Sequence, residues 1–394
     1  MDATINSISV KKDNTLSKLL FFTALILKLV QWDLSIALLK IQFNVVVTDV
    51  LCFVLLLLAL FTKKSYPLRL FVLFVGISLF SILVYLRTGV RDVVLVPMFI
   101  FSSYDIEFRD IVKCALFIKV FFLVVCTVLS LVHLIPNYTF YESRGIRKSI
   151  GYVTYNYAPR ELFYIICYYI FLKKNNFTLL ELVVIETIAF YYSQVTMSRA
   201  TFYLITLLII IIVVVNKVTF NNLFKFKVMN LSKYAFILAS VVTFIILKLY
   251  SEDPVKYKLL NMFTTGRLEY SISALDKYGI SWLGQKIEWI GLSYKQSQFL
   301  EYNYVDNSYL QMLLNYGILY TLLVIIFLTI ICRYAMNIKN YNLVILMIII
   351  AGRAIVEPQL WVMQYNIFMF LLLPALTNIL SNIKVINVKR REQA

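Results

Sequence analysis

The sequence predicts an all-α, polytopic integral membrane protein, and three observations carry that prediction. The 394 residues are 61% hydrophobic and only 15% charged. The apolar residues fall in blocks instead of alternating, and ~20 of them in a row are what a spanning helix needs. Backbone groups inside a bilayer find no water, so each block must close its own hydrogen bonds as a helix. About twelve blocks qualify as spans. They run roughly 17–39, 43–62, 68–86, 90–103, 111–135, 158–172, 177–195, 199–216, 231–250, 308–332, 341–356 and 360–380.

The fourth and sixth blocks are short, which suits tilted, re-entrant or partly interfacial helices. Pro97 inside the fourth removes a ladder hydrogen bond and predicts a kink. Pro67 and Pro159 stand where helices begin, a position that tolerates a missing N–H. Cys52, Cys114, Cys126, Cys167 and Cys332 all fall in or at the ends of apolar blocks, with no Cys-x-x-Cys. They read as small buried hydrophobes. His133 is the sole histidine, so no zinc site is expected. Lys11, Lys12 and Lys18 precede the first block without a small-residue cleavage site after it, so no cleaved signal peptide is expected.

Orientation follows from the short connections. With the N-terminus inside, the inner segments carry Lys63, Lys64, Lys113, Lys173, Lys174 and Lys339, among others, and Lys outnumbers Arg there. That matches the positive-inside rule. Both termini are then cytoplasmic, and residues 251–307 form one long extracytoplasmic loop within a single membrane domain spanning 1–394. The net charge of +17 is scattered through many connections. A nucleic-acid surface gathers such charge on one face, so no nucleic acid is expected as a partner.

The outer side departs from the rule. Its short connections carry Arg87, Arg91, Arg144, Arg147, Arg199 and Arg353, and the long loop adds Arg267. Arginine presents a planar fork that grips a phosphate at two points. Single arginines there also serve as interfacial anchors. Several together predict an outward-facing cluster that grips a phosphorylated ligand.

Three stretches stand out. The first runs from Tyr141 to Asn156, where Gly145 and Gly151 allow backbone to approach a ligand. The second is Ser198-Arg199-Ala200-Thr201 between blocks seven and eight. Ser198 is placed to cap a helix whose positive end, with Arg199, makes an anion site. The third is the long loop. Thr264 or Thr265 is placed to cap a helix running to about Lys277 and closed by Gly279. Leu268, Ile272 and Leu275 share one face of it. Asp306, where the chain re-enters the membrane, is a candidate proton acceptor or a helix cap, and Asn307 and Ser308 can cap equally well. Glu181, Glu186, Lys119 and Asp49 lie inside spans, with Glu186 and Lys119 a candidate pair.

The order Ser198-Arg199-Ala200, Thr265-Gly266-Arg267 and Asp306-Asn307-Ser308-Tyr309-Leu310, around a long external loop late in a twelve-span chain, resembles bacterial polysaccharide polymerases of the Wzy type. These group with the O-antigen ligases. Gly151-Tyr152-Val153-Thr154-Tyr155-Asn156 keeps the Gly, an aromatic and the Asn of that family's Gly-Phe-x-His-Pro-Asn stretch but lacks its His and Pro. The resemblance covers about Arg144 to Tyr316. Ligases typically have a His at the end of the loop. Asp306 stands there instead, which favours a polymerase.

The resemblance implies glycosyl transfer between undecaprenyl-diphosphate-linked glycans outside the cytoplasmic membrane, without cofactor or metal. It casts Asp306, Arg199 and Arg267 as catalytic. Arg144, Arg147, Asn156, Ser198, Asn307, Tyr309 and Arg353 become substrate-binding. Besides the lipid-linked glycans and membrane lipids, a flippase and chain-length regulator proteins are the implied partners. The rival readings are a lipid-linked oligosaccharide flippase, which calls for charges lining a mid-membrane cavity and two matching halves, an O-antigen ligase, and a structural membrane protein.

Overall fold

The computed structural model describes residues 14–41, 43–142, 145–174, 177–217, 230–291 and 302–381. The protein is predominantly α-helical. Six of its helices are long and apolar enough to cross a membrane. These are α1 (Thr15–Ile36), α3 (Leu68–Thr88), α5 (Phe108–Leu131), α7 (Leu179–Thr196), α9 (Ala235–Glu252) and α12 (Ser308–Asn337). Shorter helices pack among them: α2 (Val45–Phe61), α4 (Asp92–Ser102), α6 (Tyr157–Lys173), α8 (Arg199–Lys217), α13 (Tyr341–Arg353) and α14 (Ile367–Ser381), which opens with a 3-10 turn. Residues such as Val72, Leu79, Leu83, Phe117, Phe121 and Ile245 are large, apolar and exposed. A helical bundle with an oily exterior is built for lipid.

The core forms where α1, α4, α5, α6, α12, α13 and α14 meet, around buried Phe21, Phe99, Phe163, Tyr168 and Phe370. Phe21, Phe99 and Phe370 contact one another edge to face at 6.0–6.4 Å. That geometry suits their ring quadrupoles.

Tight turns and breaks shape the connections between the helices. The hairpin β1 (Thr139–Glu142) and β2 (Gly145–Lys148) is the one sheet among the described residues. Gly151 follows with φ 80°, and a Cβ there would lie 2.6 Å from the Cys126 carbonyl oxygen. Its small size lets the turn seat on α5, a structural use of the close approach that the sequence reserved for a ligand.

Two helical pieces of the long loop are described, α10 (Lys258–Phe263) and the amphipathic α11 (Arg267–Tyr278). Gly279 ends α11 as expected, at φ 63°. Its start differs from expectation. Neither threonine caps it; Gly266, left-handed at φ 81°, stands at the N-cap. Leu268 is buried, and Ile272 and Leu275 pack on a small core with Leu247, Tyr250, Leu310 and Leu314.

The loop then weaves into α12. Gly317 breaks that helix at φ 81° and ψ 176°. Gln285 N donates to Asn315 O at 3.0 Å and Ile318 N to Ser281 O at 3.0 Å. A Cβ at Gly317 would sit 2.3 Å from Gly284 N, so only glycine permits the crossing.

The end of the chain departs from the expected 360–380 span. Residues 354–366 form an irregular, mostly buried segment between α13 and α14. Non-helical backbone at such depth needs protein partners. Ser308 and Asn307 provide them. Ser308 N donates to Ala354 O at 2.8 Å, and Asn307 Nδ2 donates to Ile355 O at 2.7 Å. Leu360 N donates to Ser308 Oγ at 3.1 Å.

Candidate active site

Four charged side chains from four separate pieces of chain close into a ring. Arg160 comes from the first turn of α6, Arg267 from the start of α11, Asp306 from the residue pair before α12, and Glu357 from the irregular segment. Arg160 Nε lies 2.8 Å from Glu357 Oε2, and its Nη2 lies 3.6 Å from Asp306 Oδ1. Arg267 Nε lies 3.3 Å from Asp306 Oδ2, and its Nη2 lies 3.6 Å from Glu357 Oε1. Each cation thus faces both anions. Side-chain exposure is 9–13% for Arg160, Asp306 and Glu357 and 24% for Arg267, so water reaches the ring chiefly along Arg267.

Local chemistry fixes each member. Asn307 takes the cap of α12 by accepting from Leu310 N at 2.9 Å, which leaves the Asp306 carboxylate free of that duty. Tyr302 OH donates to Asp306 Oδ2 at 3.3 Å. Gln359 Nε2 donates to Glu357 Oε2 at 3.0 Å. Arg267 also donates through Nη1 to the Val356 carbonyl, tying α11 to the irregular segment.

The two carboxyls differ in proton affinity. Burial pushes Asp306 above the ordinary carboxylate range; Arg267 and Arg160 oppose that and nearby Glu357 adds to it. Burial also disfavours ionised Glu357, but Arg160, Arg267 and Arg353 outweigh it and bring its pKa down to about 2. Burial opposes the Arg267 charge as well, yet Asp306 and Glu357 raise it above its usual value. The two carboxyls of the ring therefore differ in how readily they hold a proton.

Arg353, in the last turn of α13, lies beside this ring. It is 1% exposed and sits 4.1 Å from the centre of the Phe163 ring. Its Nη1 lies 3.5 Å from Thr201 Oγ1, while Nε and Nη2 have no hydrogen-bond partner. It therefore adds one positive charge to an otherwise neutral ring.

The other sequence-selected residues distribute as follows. Asn156 and Ser198 meet, Ser198 Oγ donating to Asn156 Oδ1 at 3.4 Å. Arg147 lies on β2 with its guanidinium 4.5 Å from the Tyr155 ring centre. Arg199 is exposed at the start of α8, outside the ring. Tyr309 is fully buried and spends its hydroxyl on Ala351 O at 3.0 Å. Arg144 lies outside the described residues, as does the 292–301 part of the long loop.

Sequence reasoning missed Arg160 and Glu357. Arg160 stood in the first turn of a span, and Glu357 in the gap between two. The signal was present in the second case: Glu357, Gln359, Gln364 and Asn366 interrupt an apolar stretch, a density of polar groups that a lipid-facing helix does not carry.

Lys119 does not pair with Glu186. It pairs with Asp33 at 2.7 Å and Glu161 at 3.1 Å, whereas Glu186 accepts from Thr206. Asp49 pairs with Lys28 at 2.7 Å and with Arg91 at 2.7 Å. Among the described residues no group of three His, Cys, Asp or Glu side chains is placed to hold a metal ion. An apolar cleft of about 520 Å³ along α5, lined by Leu116, Phe117, Val120 and Val124, shares no lining residue with the ring. Comparison with protein-family models, with curated proteins and with solved structures finds no match to this chain.

Proposed function

We propose that this chain is a membrane glycosyltransferase. In this reading it joins undecaprenyl-diphosphate-linked oligosaccharide units on the outer side of a bacterial cytoplasmic membrane, as a polysaccharide polymerase. The topology that goes with it has twelve spans, cytoplasmic termini and the 251–307 loop outside. The observation that carries the reading is the ring itself. A buried carboxylate with raised proton affinity stands between two guanidiniums, under an amphipathic helix at the point where the loop re-enters the bundle.

Such a ring links two needs of the reaction. An acceptor hydroxyl must lose a proton as its oxygen attacks the anomeric carbon, and the glycosyl–diphosphate bond breaks with its electron pair leaving on the diphosphate. Asp306 takes the proton. Once neutral, it holds Arg160 and Arg267 less firmly, and those guanidiniums become available to the charge developing on the leaving diphosphate. Glu357 stays ionised and keeps both arginines in place. Fixed cations aimed at developing charge are a large source of rate enhancement in a site shielded from water. Lysine would not bridge two carboxylates in this way, because its single ammonium lacks the planar fork.

Deleting the gene in its host tests this. Loss of a polymerase leaves single repeat units on lipid or at the surface. Loss of a flippase traps them on the cytoplasmic side, and that outcome would replace the proposal with the transporter reading.

A further inference from the structure

We propose that the interior of the bundle holds a proton-binding site made of Asp33, Lys119 and Glu161, separate from the outer ring and independent of what the ring does. Lys119 Nζ lies 2.7 Å from Asp33 Oδ1 and 3.1 Å from Glu161 Oε1, and all three side chains are 1–2% exposed. Two carboxylates therefore share one ammonium. If all were ionised, the site would carry a net negative charge buried almost wholly away from solvent. A pair of carboxylates on one site resists losing its second proton, and burial strengthens that resistance.

Among the described residues no second cation is paired with Asp33 or Glu161. On the side of the irregular segment, Tyr365 places its ring 5.4 Å from Lys119 Nζ. Its hydroxyl is buried and has no hydrogen-bond partner. Tyr152, from the turn after β2, and Cys126, from α5, lie beside the carboxylates and are neutral near pH 7. Arg160 occupies the position just before Glu161 on α6, but its guanidinium is engaged by Glu357 and Asp306.

One oxygen of each carboxylate, Asp33 Oδ2 and Glu161 Oε2, has no hydrogen-bond partner. Either is a place for the proton. The bound species is thus H⁺, held as a carboxylic acid beside an ammonium–carboxylate pair. Ionisable groups kept at this depth are functional by default. Here the consequence is electrical: releasing the proton adds a negative charge one residue along α6 from Arg160.

Infrared spectroscopy of the full chain in lipid nanodiscs tests the site without any activity assay. The Asp306→Asn background removes the ring carboxyl whose proton affinity burial raises. At pH 7 this protein should show a carboxylic-acid carbonyl band that shifts in heavy water, and the band should vanish on adding either Asp33→Asn or Glu161→Gln. Each of those changes leaves a neutral pair with Lys119 and is expected to fold. Absence of the band at pH 7 would overturn the proposal, as would its survival in both variants. Loss of the band when sodium replaces potassium would also overturn it, since the ligand would then be the metal cation.

Discussion

Asp306→Asn separates chemistry from architecture at the ring. The substitution keeps the shape of the side chain and removes the only carboxyl of the ring with raised proton affinity. Arg160 retains Glu357 at 2.8 Å. Arg267 retains Glu357 at 3.6 Å and its bond to the Val356 carbonyl. Asn307, not Asp306, caps α12, so the helix start is untouched. The fold should therefore survive, with a melting temperature close to wild type. Removing a positioned general base costs about 10²- to 10⁴-fold in rate, or about 3–5 kcal/mol of barrier. The assay is complementation of a deletion strain, reading glycan length on gels alongside protein abundance in the membrane. Single-unit products at normal abundance are expected. Long chains at the wild-type rate from Asp306→Asn would refute the assignment of the base.

The remaining predictions follow from the same geometry. Glu357→Ala leaves Arg160, Arg267 and the neighbouring Arg353 with Asp306 as the single carboxylate among them, so it should destabilise the fold by about 3–5 kcal/mol, seen as a lower melting temperature and lower abundance. Arg267→Ala should shorten chains by about a hundredfold in transfer rate, and Arg199→Ala by much less because Arg199 stands exposed outside the ring; equal effects would point to a ligand that spans both. Wild-type transfer should fall as acidity protonates Asp306 in the free protein, with a midpoint above the ordinary carboxylate value of 3.8, because burial raises its proton affinity; a midpoint at or below that value contradicts the base role. Gly317→Ala forces a Cβ to within 2.3 Å of Gly284 N at a positive φ, and should cost about 1–3 kcal/mol in a thermal melt.

The apolar helices were legible in the sequence because lipid imposes one requirement on all of them and apolar length records it, and six of those described are long enough to cross a membrane. The loop helix was legible too, through Gly279 and the spacing of Leu268, Ile272 and Leu275. So were Arg267 and Asp306, which bracket the loop and meet at 3.3 Å. Partnerships were harder. Arg160 and Glu357 are 197 positions apart, and no periodicity links them. Lys119 was paired with Glu186 on sequence alone, whereas the bundle puts it against Asp33 and Glu161 from α1 and α6. The irregular 354–366 segment was missed because Leu360–Met363 were read as the start of a span, although Glu357, Gln359, Gln364 and Asn366 interrupt the apolar stretch around them. What distinguishes it is where its backbone bonds go, and those partners, Asn307 and Ser308, are distant in sequence.

The crossing of Gly284 and Gly317 bears on how such a protein can be re-engineered. Exchange of the 251–307 segment alone would separate Ser281–Gln285 from the acceptors and donors at Asn315–Leu319 that hold it. A graft meant to carry specificity from one scaffold to another has to take the first three turns of α12 along with the loop, broken turn included, or the transplanted piece arrives without its clasp.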